Sequence, residues 1–421
     1  MKIAFISYEY PPDTALGGIA TYVEQAAQML SHRGHHVEVF AGSSSRTGIN
    51  IENSIIVHRI IGSNNSIFGE QIGQVFAERH RSVQFDVLEG PEIAANAKWA
   101  VQLVPSIPLV IKLHTPTFLI GKYSFVKPTL SQKLRWHLGA LRQGKFPKPF
   151  PRWQYDPADD IERLHTLEAD EIVAPSKAIA DALINEWQLD YHKVSHIPFA
   201  YIPPAELLNT PINTRTDVIT FIGRLEVRKG ILDLANAIPL ILKYHPNIKF
   251  RFVGPAWNSP RRDMNMRQYL EDKLRRHLNS LEFTGSISLL QIPELLSRTD
   301  ICVFPSIWES YGLVCVEAMA AGRGIVASRA GGMAELLDGG KFGRLISPHS
   351  PTEIAEAVIE LLNDPELRMG LGQAARERVL SEYNLDRIGA LQEASYQRAI
   401  ERRQRLGPRS ATATTHPISN A

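Results

Sequence analysis

The run ICVFPSIWESYGLVCVEAMAAG, residues 301–322, decides the fold because an apolar segment passes through a polar loop into a helical pattern. The segment Ile301–Pro305 predicts a buried strand, and a helix is predicted from Gly312 to Ala321. Parallel sheets bind their ligands beyond the carboxyl ends of the strands, so Glu309 and Glu317 should face a ligand. A carboxylate at that place can accept hydrogen bonds from the hydroxyl groups of a ribose or a hexose. The pair therefore favours an enzyme that handles a nucleotide sugar.

Strand and helix patterns alternate on both sides of this run. The apolar runs of the first half are Ile3–Ser7, Val37–Ala41, Phe85–Leu88, Leu109–Leu113, Ile172–Ala174 and Val194–Ile197. Those of the second half are Val218–Ile222, Ile248–Val253, Ile301–Phe304 and Ile325–Ala327. Strands that alternate with helices predict parallel sheets covered on both faces. The chain is therefore expected to be an α/β protein, with two Rossmann-like, doubly wound domains that face a central cleft.

Composition changes along the chain suggest where these domains begin and end. Prolines are dense from Pro198 to Pro211, which is typical of a linker, and the Ser/Thr/Pro-rich end lacks a core pattern. The predicted divisions are an N-terminal domain at 1–200, a linker at 201–216, a C-terminal domain at 217–384, a helix at 385–405 and a disordered tail at 406–421.

The overall composition excludes several classes of function. A chain of 421 residues with a net charge of +2 predicts two or three domains and gives no general reason to expect nucleic-acid binding. Its two cysteines, Cys302 and Cys315, are too few for a disulfide framework or a zinc site, and both are expected to be buried thiols. No apolar run approaches the roughly 20 residues of a membrane span, and the N-terminus does not resemble a signal peptide. A cytoplasmic location is therefore expected.

A second motif, GRLEVRKG at residues 223–230, follows the predicted strand Val218–Ile222. Arg224 and Lys229 lie five residues apart on a loop that enters a helix, and a guanidinium with an ammonium suits a diphosphate. A pair of solvated basic residues at a helix start is the alternative. Similarly, the amides of Gly312, Leu313 and Val314 would open a helix and could bind an anion, whereas Glu309 and Glu317 could be exposed helix carboxylates.

Taken jointly, these stretches resemble a known family. GRLEVRKG, FTGSIS (283–288), ESYGLVCVEAMAAG and ASRAGGMAELL are similar to the C-terminal half of the retaining glycosyltransferases of family 4, also called group 1. The similarity covers most of residues 217–365, and a weaker one includes Gly17, Gly18 and the APS stretch at 174–176. Membership would imply the GT-B fold, a donor held mainly by the C-terminal domain, and a final helix that crosses back to the N-terminal domain.

The resemblance also implies roles for individual residues. Arg224 and Lys229 would hold the donor diphosphate, and Glu317 would bind the ribose hydroxyls. Glu309 would contact the donor sugar near the reacting carbon. His114, which follows the strand PLVIKL, resembles the family histidine that lies near the donor sugar and would position that sugar. Backbone groups around Ile287 would touch the base, while Gly17 and Gly18 would approach the phosphates from the other domain. For His114 alone, a strand-end histidine satisfied by the backbone is the alternative. The sequence departs from the family pattern at Gly324, where proline is common, and at Glu89–Glu92, where histidine is common.

The implied activity is the transfer of a hexosyl group from a nucleotide diphosphate sugar, by default a UDP-sugar, to a hydroxyl acceptor, with retention of anomeric configuration. The sequence contains no Asp-x-Asp, which favours an enzyme that needs no metal or other cofactor. An epimerase of similar two-domain fold and a non-catalytic sugar-binding protein are the rival interpretations.

A basic and aromatic insertion at 117–155 lies within the predicted acceptor domain. No acidic residue occurs between Glu92 and Asp156, although that span holds ten Lys or Arg residues. Such a segment could contact an anionic membrane or a lipid-linked acceptor at the cytoplasmic face. A helical insertion with a solvated basic face is the alternative. Sugars and other small molecules are equally open as acceptors.

Overall fold

In the computed structural model, the described residues are 1–14, 17–62, 65–125, 130–142, 144, 146 and 153–410. The first eight strands form one sheet: β1 (Lys2–Ser7), β2 (His36–Ser43), β3 (Gly48–Glu52), β4 (Ile55–Ile61), β5 (Val87–Pro91), β6 (Leu109–Lys112), β7 (Glu171–Ala174) and β8 (Val194–His196). Their order is β3-β4-β2-β1-β5-β6-β7-β8, and every pairing is parallel except β3 with β4. The accompanying helices are α1 (Gly18–His32), α2 (Asn65–Val83), α3 (Lys98–Leu103), α4 (Thr117–Ser124), α5 (Leu130–Arg142), α6 (Ile161–Leu167) and α7 (Lys177–Trp187).

The remaining six strands form a second, wholly parallel sheet. They are β9 (Val218–Ile222), β10 (Lys249–Val253), β11 (Leu281–Gly285), β12 (Ile301–Phe304), β13 (Gly324–Ser328) and β14 (Arg344–Ile346), in the order β11-β10-β9-β12-β13-β14. The helices from the linker onward are α8 (Ala205–Leu208), α9 (Ile231–Tyr244), α10 (Met266–Lys273), α11 (Ile292–Ser297), α12 (Leu313–Ala320), α13 (Met333–Leu336), α14 (Pro351–Asn363), α15 (Pro365–Glu382) and α16 (Leu385–Leu406). The two doubly wound sheets confirm the predicted α/β fold.

Buried strands account for the success of the sequence prediction. Strands β9 and β12 have the predicted bounds, and all of their residues are buried, including the free thiol of Cys302. Strand β5 is displaced: it begins at Val87 and not at Phe85. The antiparallel pair β3 and β4 was not predicted, since β3 is an edge strand whose Ile49 and Ile51 are exposed to solvent.

Helix α16 packs on the first sheet and forms buried hydrogen bonds with it. The carboxylate of Glu89, which is 1% exposed, accepts hydrogen bonds from Tyr22 Oη at 2.5 Å and from Gln392 Nε2 and Tyr396 Oη at 2.7 Å each. Tyr22 belongs to α1, and the other two donors belong to α16. The last helix is therefore tied to the first sheet by hydrogen bonds that are shielded from water.

A second anchor lies near the end of α16. The carboxylate of Asp170 accepts from Arg403 Nη2 at 2.6 Å and from Arg409 Nη2 at 2.5 Å. Arg409 also donates to the carbonyl oxygen of Ile107 at 2.7 Å. The ordered chain thus continues past residue 406, where composition suggested that the tail begins, because an ion pair holds it. Residues 411–421 of that predicted tail lie outside the described residues.

The two sheets meet through the loop that follows β12. Ser310 in this loop accepts a hydrogen bond on Oγ from Thr115 Oγ1 at 2.8 Å and on its carbonyl from Ser176 Oγ at 2.5 Å. Glu335 of α13 accepts from the amides of Lys177 and Ala178 at 2.9 and 2.8 Å, at the start of α7. The carboxyl ends of the two sheets therefore face each other across a narrow cleft.

Candidate active site

Two glycines bring three loops together around Glu309. Gly230 has φ 71°, and a Cβ there would lie 1.8 Å from the carbonyl oxygen of Pro305. Gly331 has φ 85°, and a Cβ there would lie 2.0 Å from the carbonyl oxygen of Glu309. A side chain at either position is excluded by both space and backbone conformation. The loops after β9 and β13 can therefore pack directly against the backbone of the loop after β12.

The first loop delivers two cations to the Glu309 carboxylate. Lys229 Nζ forms an ion pair with Glu309 Oε2, and Arg228 Nη1 lies 3.9 Å from Glu309 Oε1. Burial raises the pKa of Glu309, but Lys229 and Arg228 outweigh that effect and hold it below its usual value. Burial lowers the pKa of Lys229, and Glu309 offsets part of that loss. The pair is consequently a buried ion pair at the base of the cleft.

Arg224, the other predicted diphosphate ligand, is oriented differently. Its guanidinium stacks on Trp257 at 4.5 Å from the ring centroid, and Nη2 lies 3.4 Å from Glu226 Oε1. About a third of the side chain is exposed. Arg224 nevertheless contributes to the lowered pKa of Glu309. It is thus an accessible cation at the edge of the same group of charges.

Glu317 is buried on α12 and, among the described residues, has no hydrogen-bonding or ion-pair partner for its carboxylate. It is 7% exposed, and burial raises its pKa to about 7. Its charge also raises the pKa of Tyr201 and contributes to the raised pKa of Cys302. A largely buried carboxylate without a partner costs stability, and its unpaired oxygens are available to accept hydrogen bonds from a ligand.

His114 lies at the carboxyl end of β6, on the opposite sheet. Its backbone amide donates to both carboxylate oxygens of Glu92 at 2.9 Å, while Nε2 is buried and has no partner among the described residues. Burial lowers the pKa of its imidazole to about 3, with a further contribution from Lys112. The neutral ring packs against Tyr22 and Phe199, with ring centroids at 5.4 and 5.1 Å, and the adjacent Thr115 donates to Ser310 in the loop that carries Glu309.

The glycines and apolar residues of the predicted donor site are distributed over both sheets. A Cβ on Gly18 would lie 3.6 Å from Leu313 Cδ1, so the starts of α1 and α12 are in contact. Gly17 is the residue before α1, and Gly312 is the residue before α12, followed by Leu313 and Val314. Ile287 is half-buried after β11. Ile287 packs against the core on the second sheet.

Several residues at this site were not singled out from the sequence. Arg228 is 3% exposed. The sequence predicted roles for the other two basic residues of the motif, Arg224 and Lys229, but none for Arg228. Glu9 has a buried Oε2 that finds no partner within the described ranges, and its pKa is raised by burial although the Ala20 amide and Arg224 oppose the shift. Glu9 could have been predicted from its place just after the first strand, since ligands of doubly wound sheets bind beyond the carboxyl ends of the strands.

A recess of about 210 Å³ lies elsewhere, lined by residues that include His196, Glu335, Arg378 and Leu391. It contains none of the residues predicted to bind donor. Within the described ranges, no group of three or more His, Cys, Asp or Glu side chains is placed to hold a metal ion. The β9 loop supplies positive charge to this cleft through Arg224, Arg228 and Lys229.

Comparison with solved structures identifies the class of fold. Sucrose-phosphate synthase from Thermosynechococcus elongatus superposes with a TM-score of 0.72 at 21% identity, over 95% of this chain and 99% of that one. HepE from Anabaena, solved with UDP and glucose, gives a TM-score of 0.64 at 18% identity, over 94% and 99% of the two chains. With its two facing sheets and interdomain cleft, the chain has the GT-B fold.

Sequence comparison identifies the family. Residues 208–378 match the model of glycosyl transferases group 1, and residues 16–200 match that of glycosyltransferase family 4. The glycogen synthase of Mycobacterium tuberculosis is 25% identical over 91% of both chains. The D-inositol 3-phosphate glycosyltransferase of Pseudarthrobacter chlorophenolicus is 25% identical over 94% of this chain and 93% of its own. The chain belongs to the group 1 glycosyltransferases, family 4.

Proposed function

We propose that this enzyme transfers a hexosyl group from a nucleotide diphosphate sugar, with a UDP-sugar as the default donor, to a hydroxyl acceptor in polysaccharide, glycolipid or glycoconjugate synthesis. The observations that carry the proposal are the convergence of Lys229 and Arg228 on Glu309 and a carboxylate of Glu317 that has no partner in the part of the chain that the structure describes. Transfer with retention and without a metal ion is part of the same proposal.

The donor would lie across the starts of α1 and α12. Arg224 and Lys229 bind the diphosphate, supported by the amides that follow Gly312 and by the approach of Gly18. Glu317 accepts hydrogen bonds from the ribose hydroxyls, which would give its buried carboxylate the partners that it lacks. Backbone groups near Ile287 face the base. The Anabaena structure with UDP and glucose supports a UDP-sugar as the first donor to test.

The chemistry follows from where charge develops. The bond between the anomeric carbon and the diphosphate oxygen breaks, so negative charge accumulates on the leaving diphosphate, where Lys229 and Arg224 stabilise it. The acceptor oxygen bonds to the anomeric carbon on the same face, and its proton passes to the departing phosphate oxygen. His114 and Glu309 orient the sugar. His114 remains neutral because of its burial and serves as a hydrogen-bonding group and not as an acid.

Two rival functions have different requirements. An epimerase would change the nucleotide sugar without any acceptor, and a non-catalytic protein would bind the sugar without releasing a nucleoside diphosphate. Transfer requires both an acceptor and release of the nucleoside diphosphate. Membership of the group 1 family favours transfer.

The test is a screen of UDP-, ADP- and GDP-sugars for thermal stabilisation, followed by measurement of nucleoside diphosphate release. Wild type is expected to be stabilised by one class of donor and to release its diphosphate. The Lys229→Met variant should lose most of that stabilisation, whereas Lys243→Met on the far end of α9 should behave as wild type. A wild type that is stabilised by no nucleotide sugar would contradict the proposal.

We also propose that the insertion contacts an anionic membrane surface through α5. Its leucines at 130, 134, 138 and 141 share one helix face and are 85%, 65%, 50% and 60% exposed. Arg135, His137 and Arg142 are exposed on the same helix. An exposed apolar stripe flanked by cations suits the interface of an anionic bilayer. No helix among the described residues is long and apolar enough to cross a membrane.

Sedimentation with vesicles of anionic and of zwitterionic lipid measures this contact. Wild type should pellet with the anionic vesicles at low salt, and Leu134→Gln with Leu138→Gln should reduce the pelleted fraction severalfold. Leu278→Gln with Leu380→Gln, which alters leucines of similar exposure on the second sheet's side, is the matched control. Equal sedimentation of the two double variants would refute the contact.

A further inference from the structure

The loop that carries Glu309 is held by both domains, each of which is built on one of the two sheets. The carboxylate of Glu309 is paired with Lys229 of the second domain. The side chains of Trp308, Ser310 and Tyr311, in contrast, contact the first domain or the segment that follows β8. The second domain therefore holds the carboxylate, whereas the first domain holds the side chains on either side of it.

Trp308 is packed into the core of the first domain although its chain segment belongs to the second. It is 8% exposed and lies in the hydrophobic cluster that β1, β5 and β6 share with α2 and α7. Its indole ring is stacked on the ring of Tyr123, with the centroids 5.5 Å apart and the planes 2° from parallel. Parallel rings at this separation are offset, which is a favoured arrangement. The pair is therefore a specific contact across the cleft.

The position of Tyr123 is set by helix α4, which is anchored in the first domain. At the start of α4, the amide and Oγ1 of Thr117 donate to the carboxylate of Glu162 at 2.8 and 2.7 Å. The ring of Phe118, which is 6% exposed, stacks on Tyr155 with the centroids 4.4 Å apart. On its other side, α4 lies against the turn at residues 227–229, which carries the cations that surround Glu309. A fixed helix of the first domain thus presents Tyr123 to the loop of the second.

The backbone beside Trp308 is tied to the same cations. The carbonyl oxygen of Trp308 accepts from Arg228 Nη1 at 3.4 Å, and the amide of Ile307 donates to the carbonyl oxygen of Arg228 at 2.8 Å. The carbonyl oxygen of Glu309 accepts from the amide of Gly332 at 2.8 Å. A displacement of Trp308 would therefore move the backbone of Glu309 relative to the charges that its carboxylate meets.

We propose that Tyr123 is a positioning residue for the transfer reaction, because its stack on Trp308 fixes the Glu309 carboxylate where the donor sugar binds. Tyr123 acts through Glu309 and does not itself touch the substrate. The helix that begins the basic insertion thereby has a role in turnover, separate from the membrane contact proposed for α5. This inference rests on the proposed function, since it adds a residue to the same site.

Removal of the ring tests this role, with UDP-glucose, ADP-glucose and GDP-mannose as donors and melting curves to establish that each variant is folded. Tyr123→Leu should lower kcat for release of the nucleoside diphosphate at least tenfold, because a small displacement of an orienting group is costly to the rate. The Kd of the nucleoside diphosphate should stay within twofold of wild type, because Arg224 and Glu317 are unchanged. Tyr123→Phe, which keeps the stack, should retain the wild-type kcat. Tyr191→Leu, which removes a tyrosine ring that is 65% exposed in the first domain, is the matched control.

A double variant separates positioning from a general loss of stability. In the Glu309→Gln background, Tyr123→Leu should lower kcat less than twofold further, because the carboxylate that Tyr123 positions is no longer present. A ring that acted only on folding would cost the same factor in both backgrounds. If Tyr123→Leu does not fold, Trp308→Leu removes the same stack from the other domain, and the same separation of kcat from Kd and the same non-additivity are expected.

Three results would overturn the inference: an unchanged kcat in Tyr123→Leu, equal losses in Tyr123→Leu and Tyr123→Phe, or additive losses with Glu309→Gln. Each of these leaves the proposed function intact when wild type releases the nucleoside diphosphate. A wild type that neither hydrolyses nor transfers from any of the three nucleotide sugars overturns the proposed function and this inference with it.

Discussion

At the scale of single residues, Glu309 and Glu317 are both 7% exposed yet have opposite environments. Glu309 lies between Lys229 and Arg228, which keep its pKa below the usual value despite burial. Glu317 has only burial acting on it, and its pKa rises to about 7. The same side chain is thus a fixed anion in one place and a titrating group in the other. This difference predicts which residue gives nucleotide binding its pH dependence.

Nucleotide affinity should weaken as the pH falls through 7, because ribose hydroxyls donate to the ionised form of Glu317. With a pKa of about 7 in the free enzyme and a lower one in the complex, affinity at pH 6 should be roughly tenfold below its plateau at high pH. The Glu317→Gln variant should lose this dependence. Calorimetric titration of UDP at several pH values measures it, and subtracting the variant's profile removes the titration of the nucleotide phosphate.

The raised pKa of Glu317 also makes the stability of the folded protein depend on pH. Because the pKa of Glu317 is raised above its usual 4.5, stability is lost as the pH rises from about 4.5 to about 7, and Glu317→Gln should avoid that loss. Melting temperatures of the two proteins should therefore diverge over this range, with the variant higher at pH 8. If the melting temperatures of wild type and Glu317→Gln changed identically with pH, the conclusion that Glu317 is buried and unpaired would be wrong.

Turnover should depend strongly on His114 and Glu309, since each is proposed to orient the donor sugar. His114→Ala and Glu309→Ala should each lower kcat on the order of 10²-fold, the usual cost of removing one preorganised polar group. His32→Ala, at an exposed position of α1, should leave kcat unchanged. Near-normal transfer by either site variant, with a normal melting curve, would refute the assigned role.

The sequence predicted the types of these residues but not their pairing. The motifs identified Lys229 and Glu309 as site residues, but these two residues are 80 positions apart in the sequence. Their contact depends on Gly230 and Gly331, which allow the loops to approach each other closely. The burial of the Glu9 Oε2 atom depends on how the loop after β1 folds, and no local sequence pattern predicts it. The roles of Lys229 and Glu309, like that of Ile287 at the base, remain predictions.

At the scale of elements, a helical pattern specifies a buried face but not the partner of that face. Strands β9 and β12, whose residues are all buried, were located from the sequence because their apolar runs are continuous. The position of α16 on the first sheet came only from family resemblance, because it is determined by Glu89 and Asp170, more than 200 residues away.

Asp170→Ala should therefore destabilise the enzyme well beyond a surface substitution. It would leave Arg403, which is 8% exposed, and Arg409 without their carboxylate. Removing one partner of a buried ion pair costs about 3–5 kcal/mol. Denaturant unfolding measures the change, and Asp159→Ala, at an exposed site, should cost less than about 0.5 kcal/mol. A similar small cost for both would show that the anchor contributes little.

At the scale of the whole molecule, the site exists only where the two sheets meet. The second sheet contributes Lys229, Glu309 and Glu317, and the first contributes His114 and the start of α1. Ser310 bridges them through Thr115 and Ser176. Parallel strands place all of these groups at carboxyl ends, which explains why the order of motifs along the chain could predict the cleft. The exact closure of the domains was beyond sequence patterns, since it depends on those few hydrogen bonds.

The central claim is that this enzyme transfers a sugar from a nucleotide diphosphate sugar with retention of the anomeric configuration. The most direct measurement is ¹H NMR of the anomeric region during turnover of UDP-glucose, with D-inositol 3-phosphate as acceptor, for wild type and Lys229→Met. The account predicts that wild type forms UDP and a new α-anomeric signal at equal rates, and that Lys229→Met forms neither at a comparable rate. Formation of a β-anomer, or epimerised donor without UDP release, would contradict it.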